Sequence, residues 1–117
     1  MGLKDLLKRS EKVEGDLDQV RRQERFIGVK VTHIDEALPR TPIRIAGEIQ
    51  RMRSVPRSGS PWLEICVNDG TADAMITFTG TKKIAGIQPG RGLVLEGVGR
   101  VENGKLVMLN PAYTLLP

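Results

Sequence analysis

From Pro42 onward the chain alternates apolar and polar residues in short runs, which are separated by glycine, proline, asparagine and aspartate. This period of two is typical of a half-buried β-strand, because successive side chains of a strand point to opposite faces. The runs PIRIAGEIQRMR, WLEICVN and ADAMITFT all show it. The residues predicted to point inward are Ile43, Ile45, Gly47, Ile49, Leu63, Ile65, Val67, Ala74, Ile76 and Phe78. The alternate positions, among them Ala46, Glu48, Trp62, Glu64 and Cys66, are predicted to face outward. The pattern therefore predicts a meander of three antiparallel strands.

Two further strands are predicted after a glycine-rich connector that contains Ile84 and Ile87. The run GLVLEGVGRVE carries several glycines, which indicate a strongly bent strand, as needed where a small barrel turns a corner. Asn103-Gly104 follows it and is the strongest short hairpin signal in the chain. KLVMLNP then forms the fifth predicted strand, so the region from 29 to 117 is expected to be an all-β domain.

Residues 1–28 are predicted to form a separate helical segment. Their apolar residues recur at helical spacing, namely Leu3, Leu6, Leu7, Val13, Leu17 and Val20. Gly15 interrupts the pattern, so one long helix and two short ones both fit it. The helix is expected either to pack on its own domain or to mediate self-association through a short coiled-coil seam.

The charge distribution indicates the kind of partner, and the cysteine content indicates the cellular compartment. The net charge is +4, and the segment from Arg40 to Arg57 holds five arginines against the single acid Glu48. Such a cluster favours a polyanionic partner. The one cysteine, Cys66, forms no intramolecular disulfide, and no apolar run is long enough to span a bilayer. A cytoplasmic protein without a membrane partner is expected.

The sequence offers little for catalysis or metal binding. His33 and Cys66 are the only soft metal ligands, whereas a structural zinc site needs four in defined spacing. Asp69 and Asp73 are better explained by turn chemistry and an exposed strand start than by a pair of catalytic carboxylates. The chain is therefore expected to have no enzymatic activity, no cofactor and no metal.

Three stretches carry a resemblance to a known family: IAGEI, VNDGTADAMITF, and IAGIQPGRGLVLEGVGRVENGKLVMLNPAY. From Val29 to Tyr113 the chain resembles the OB-fold domain of the tRNA-anticodon-binding type. Such domains occur in aminoacyl-tRNA synthetases, in the wedge domain of branched-DNA helicases and in small stand-alone actinobacterial proteins. The resemblance implies a five-stranded, partly open barrel.

The resemblance also implies where a ligand would lie. In OB-folds, nucleic acid crosses the outer face of strands two and three, between the loop that joins strands one and two and the loop that joins strands four and five. Carried over to this chain, the candidate residues lie on the first loop, at the start of strand two and beside the end of strand three: Arg51, Arg53, Arg57, Trp62, Lys82 and Lys83. Alternatives remain, because arginines also serve solubility, Trp62 also suits the mouth of its own barrel, and Arg44 and Arg100 are explained by pairing with Glu48 or Glu96.

Two features depart from that pattern. Aromatic residues make up only 3% of the chain, and the turn Asn103-Gly104 leaves almost no loop between strands four and five. Since base stacking on aromatic rings is scarce, binding is expected to depend mainly on phosphate contacts and on salt. The expected function is binding of single-stranded nucleic acid, DNA more than RNA, with low sequence preference. The alternative is a protein interaction or oligomerisation module.

Overall fold

The computed structural model describes residues 15–117, and about half of these residues lie in strands. Helix α1 spans residues 15–25, and a single 3-10 turn covers Ile34–Glu36. Six strands follow in this part of the chain. They are β1 (Pro42–Arg57), β2 (Ser60–Asn68), β3 (Asp73–Thr79), β4 (Gly92–Glu102), β5 (Lys105–Leu109) and β6 (Ala112–Leu115).

The strands form one sheet that closes into a ring. Their order is β1-β2-β3-β5-β4-β6, and β1 also pairs with β4. The predicted meander β1-β2-β3 is antiparallel, whereas β3 and β5 run parallel. The prediction of five strands is incomplete, because β6 pairs with β4 as a sixth strand, Leu95 lying opposite Tyr113.

The first hairpin is longer than the sequence indicated. The OB-fold resemblance implied that Arg51, Arg53 and Arg57 lie on a loop between the first two strands, but β1 continues to Arg57 and β2 starts at Ser60. Only Ser58 and Gly59 join the strands, both with positive φ (51° and 76°), as in a two-residue type I′ turn. The predicted turn Asn103-Gly104 has the same geometry, with φ of 51° and 75°. Arg51, Arg53 and Arg57 are therefore strand residues, and their spacing of two and four positions places their side chains on the same face.

The main core fills the inside of the ring, and the predicted inward residues of β1, β2 and β3 contribute to it. Ile45, Ile65 and Ile76 have no exposed surface, and Leu95 and Met108 complete the same cluster from β4 and β5. Ile87, from the connector between β3 and β4, is 4% exposed and closes the cluster at one side. This burial removes the strands' apolar faces from water and is the main source of stability.

Helix α1 packs against the outside of β1, which was expected to face solvent. Ala46 is 1% exposed and lies in a second apolar cluster with Phe26 and Val94. Glu48 is also buried: its carboxylate accepts hydrogen bonds from Arg21 at 3.0 and 3.2 Å and from Arg25 at 2.6 Å. Ala46 and Glu48 lie on the outer face of β1, as predicted, but they are not exposed to solvent, because residues 20 or more positions away along the chain cover them.

The opposite face of α1 remains uncovered in the described part of the chain. Leu17 is 63% exposed and Val20 is 47% exposed. Both belong to the predicted coiled-coil seam, whose remaining apolar positions from Leu3 to Val13 lie outside the described residues. Self-association through this seam stays a prediction.

Lowering the pH is expected to weaken the packing of helix α1 on β1. The hydrogen bonds from Arg21 lower the pKa of the Glu48 carboxyl below its ordinary value of 4.5; burial opposes this shift, and Arg25 adds to it. A pKa lowered on folding contributes stability above about pH 4.5, and this contribution is lost as the pH falls through the folded-state value. The variant Glu48→Gln should therefore melt several degrees below the parent protein at pH 7, and the gap should narrow toward pH 3. A gap that does not change with pH in thermal melts would contradict this role of the carboxylate.

Among residues 15–117, no helix has both the length and the apolar character needed to cross a bilayer.

Candidate functional site

The outer face of the ring contains a hollow of about 430 Å³. Five strands contribute to it, and we call it the basic groove. Its cationic side chains are Arg51 and Arg57 from β1, Arg100 from β4 and Lys105 from β5. Trp62 and Glu64 from β2 lie between them, above a floor that includes Met75, Thr77 and Val107.

The strand register explains why the arginines of β1 share this face. Arg51, Arg53 and Val55 lie opposite Cys66, Glu64 and Trp62 of β2, and directly opposed side chains point to the same side of a sheet. Arg53 lines a second hollow of about 370 Å³, which shares Arg51, Glu64 and Met75 with the basic groove. The two hollows therefore form one continuous surface.

Cys66 lies at the bottom of this surface and is 1% exposed, although the alternation predicted that it would face outward. It does point to the outer side, opposite Arg51 and Met75, and its neighbours cover it. Burial raises the pKa of the Cys66 thiol. The thiol therefore stays neutral at physiological pH and acts as part of the floor.

The cationic side chains on this surface form weak, exposed ion pairs with neighbouring carboxylates. Arg100 lies 3.2 Å from Glu102, and Lys105 lies 3.9 Å from Asp73. Their side chains remain about half exposed, as does that of Arg57. Exposed ion pairs of this kind stabilise a fold by about 1 kcal/mol or less. The cations therefore exchange their carboxylate partners for an incoming anion at little cost.

Glu64 is the exception, because it lies deep in the groove with a side chain that is 14% exposed. Its Oε2 accepts a long hydrogen bond of 3.5 Å from Arg53. Its Oε1 lies 3.9 Å from Arg57 Nη2, is buried, and has no hydrogen-bond partner among the described residues. One carboxylate oxygen thus remains unsatisfied at the centre of a cationic surface.

Trp62 lies in the groove with one face of its indole covered. The guanidinium carbon of Arg57 is 5.1 Å from the centre of the ring, within the range of a cation–π contact. Arg57 therefore lies close to both the aromatic ring and the Glu64 carboxylate.

The structure brings together some of the residues predicted from the sequence and separates others. Arg51, Arg57 and Trp62 share the basic groove, and Arg53 lies in the adjoining hollow. Lys82 instead lines a different hollow with Ser54 and Pro56, on the other face of the β1–β2 hairpin. Lys83 is exposed in the connector after β3 and lines neither part of the groove.

Sequence reasoning missed Arg100 and Lys105. The predicted pairing of Arg44 with Glu96 is confirmed at 2.6 Å across β1 and β4, but Arg100 pairs with its near neighbour Glu102 and faces the groove. The position of these two residues could have been predicted from the sequence. The Asn103-Gly104 turn sets Glu102 opposite Lys105, and the period of two then places Arg100 on the same face.

One group of possible metal ligands lies elsewhere. His33, Asp35 and Glu36 hold their ligand atoms within 4.8 Å of one another at the 3-10 turn, and all three are exposed. Exposed acidic groups beside a histidine are common on protein surfaces, and this group is not part of the basic groove.

No protein-family model matches the chain, and no curated protein matches it. Function is therefore inferred from the chemistry of the groove.

Proposed function

We propose that this chain is a non-enzymatic OB-fold module that binds single-stranded nucleic acid in the basic groove, with DNA as the first ligand to test. The observation that carries the proposal is the concave outer face on which Arg51, Arg57, Arg100 and Lys105 surround Trp62. Cationic side chains around an aromatic platform are what proteins use to hold a flexible phosphate backbone together with its unpaired bases.

The topology supports the OB-fold part of the proposal. Leaving β6 aside, the ring runs β1-β2-β3-β5-β4 and returns to β1, with β3 parallel to β5. This strand order is the one expected of a five-stranded Greek-key barrel, in which the face of strands two and three is the usual ligand surface. The basic groove lies on that face, with Glu64 of β2 opposite Thr77 of β3.

The residue types in the groove favour a single strand over a duplex. Stacking on Trp62 requires an unpaired base, because bases within a duplex are stacked on one another. Phosphate contacts by arginine and lysine carry no sequence information, so affinity should vary little with sequence apart from any contact to a base edge. Aromatic residues for base stacking are scarce in this chain, so the affinity should be modest.

Fluorescence of the single tryptophan tests the proposal directly, since no other tryptophan contributes to the signal. Titration with oligo-dT is expected to quench Trp62, because a base displaces or joins the Arg57 guanidinium on the ring. The effect should be strong at about 50 mM salt and weak at about 200 mM. Oligo-U titrated in parallel compares RNA with DNA. Flat fluorescence, together with unchanged anisotropy of a labelled strand, would overturn the proposal.

The exposure of Leu17 and Val20 on one side of α1 favours a second candidate function, self-association through this helix. In that case Leu17→Asp should convert a dimer into a monomer in sedimentation-velocity runs, because a charge would replace an apolar contact. The matched variant Asp18→Asn, next to it on the helix, should leave the dimer intact. A monomeric parent protein at all accessible concentrations would exclude this function.

A further inference from the structure

The unsatisfied oxygen of Glu64 is unusual for its surroundings. A buried carboxylate oxygen without a hydrogen-bond donor is energetically costly, so native proteins rarely retain one without a reason. Arg57 is near, but at 3.9 Å its Nη2 is beyond hydrogen-bond distance from Oε1. The described part of the chain offers this oxygen no donor.

The position of Arg57 indicates what kind of donor fits. Its guanidinium is a flat group that lies over Trp62, 5.1 Å from the ring centre, and its nitrogen faces the Glu64 carboxylate. Trp62 and Glu64 thus form a stacking surface with a hydrogen-bond acceptor at its edge. The protein's own side chain occupies this place without satisfying the acceptor.

We propose that Trp62 and Glu64 form a base subsite that prefers guanine, an inference that rests on the proposed function. Guanine carries a guanidine-like edge, in which the ring N1–H and the exocyclic N2–H point the same way. A guanine stacked on Trp62 in place of Arg57 donates both hydrogens to the two oxygens of Glu64. Arg57, which is 54% exposed, then swings out to a neighbouring phosphate.

The other bases do not present two adjacent hydrogen-bond donors to the two oxygens of Glu64. Adenine and cytosine each present one amino donor beside a ring nitrogen acceptor, so a lone pair faces the second carboxylate oxygen. Thymine and uracil present one N–H between two carbonyl oxygens. Since a carboxylate only accepts hydrogen bonds, it discriminates against each of these edges.

The experiment compares labelled strands of about ten nucleotides, which fits the usual range of OB-fold site sizes. One strand contains thymine only, and the others carry a single central guanine, adenine, cytosine or hypoxanthine. A single guanine per strand avoids self-association of guanine-rich DNA. Anisotropy titrations should show the guanine strand binding about five- to tenfold tighter than the adenine, cytosine and thymine strands. Hypoxanthine lacks the N2 amino group and should fall between guanine and thymine.

Two variants separate the base contact from the phosphate contacts. Glu64→Gln keeps the shape of the side chain but replaces one acceptor oxygen with a donor. It should bring the guanine and thymine strands to within about twofold of each other, and it should strengthen thymine-strand binding because a negative charge leaves the groove. Arg57→Ala should weaken binding of every strand while preserving the guanine preference.

The outcomes distinguish this inference from the function on which it rests. Equal affinities for all strands would overturn the guanine subsite and leave single-strand binding standing. A guanine preference that survives in Glu64→Gln would overturn the role of Glu64. Failure of the parent protein to bind any strand at low salt would overturn both proposals together.

Discussion

Binding of an all-thymine strand is expected to weaken about 100-fold between about 50 and 200 mM salt. For single strands, the logarithm of the binding constant falls with the logarithm of salt concentration by about 0.7 per phosphate contact. Contacts from Arg51, Arg53, Arg57, Arg100 and Lys105 therefore give a slope of about −3.5. Replacing Arg51 and Arg57 with alanine should reduce the slope to about −2.1 and the salt effect to about 20-fold, alongside a loss of affinity at low salt. Anisotropy titrations at four salt concentrations measure both quantities.

The double variant Lys82→Ala with Lys83→Ala is the matched control, because it removes the same charge from the same protein. Lys82 lines a hollow on the other face of the hairpin, and Lys83 lines neither part of the groove. The control should keep the parental slope. If it lowers the slope as much as the arginine variant does, the effect reflects net charge, and the basic groove is not the binding surface.

Local sequence pattern was enough to predict five of the six strands, because the period of two that places Ile45, Ile65 and Ile76 inside the ring depends only on neighbouring residues. Two features were not predictable in this way. The strand Ala112–Leu115 is only four residues long and follows Pro111, so it shows no clear alternation. The burial of Glu48 depends on α1, which precedes it by more than 20 residues and contacts it only in the folded chain.

The site was predicted only in part. Arg51, Arg57 and Trp62 were expected from the resemblance to the OB-fold, although the expected loop is a continuous hairpin with a two-residue turn. Arg100 and Lys105 join them only because β4 and β5 close the ring beside β3. The contact of Arg57 with both Trp62 and Glu64 depends on side-chain conformation, for which the sequence pattern carries no signal.

Gly70→Ala is expected to have the largest effect on stability among single methyl additions to the turns. Gly70 is buried with φ of +91°, and Gln23 Nε2 of α1 donates to its carbonyl oxygen at 3.2 Å. A Cβ there would lie 3.0 Å from the backbone nitrogen of Gln23 and even closer to the carbonyl oxygen of Gln19. Two costs to the free energy of folding then add. A side chain in the left-handed backbone region costs about 1–2 kcal/mol, and forcing the extra methyl group into a packed site costs about 1–3 kcal/mol. Denaturant unfolding should show a loss of about 2–5 kcal/mol.

Gly59→Ala separates these two contributions. Gly59 has a similar φ of +76°, yet within the described part of the chain an added Cβ meets no heavy atom within 4 Å. This variant should therefore lose only the strain, about 1–2 kcal/mol. Hydrogen exchange locates the difference: in Gly70→Ala the amides of α1 should exchange faster than in Gly59→Ala, while those at the centre of β2 keep their protection. Equal losses in the two variants, with α1 equally protected, would mean that the helix does not pack on Gly70 in solution and that Glu48 must be satisfied in some other way.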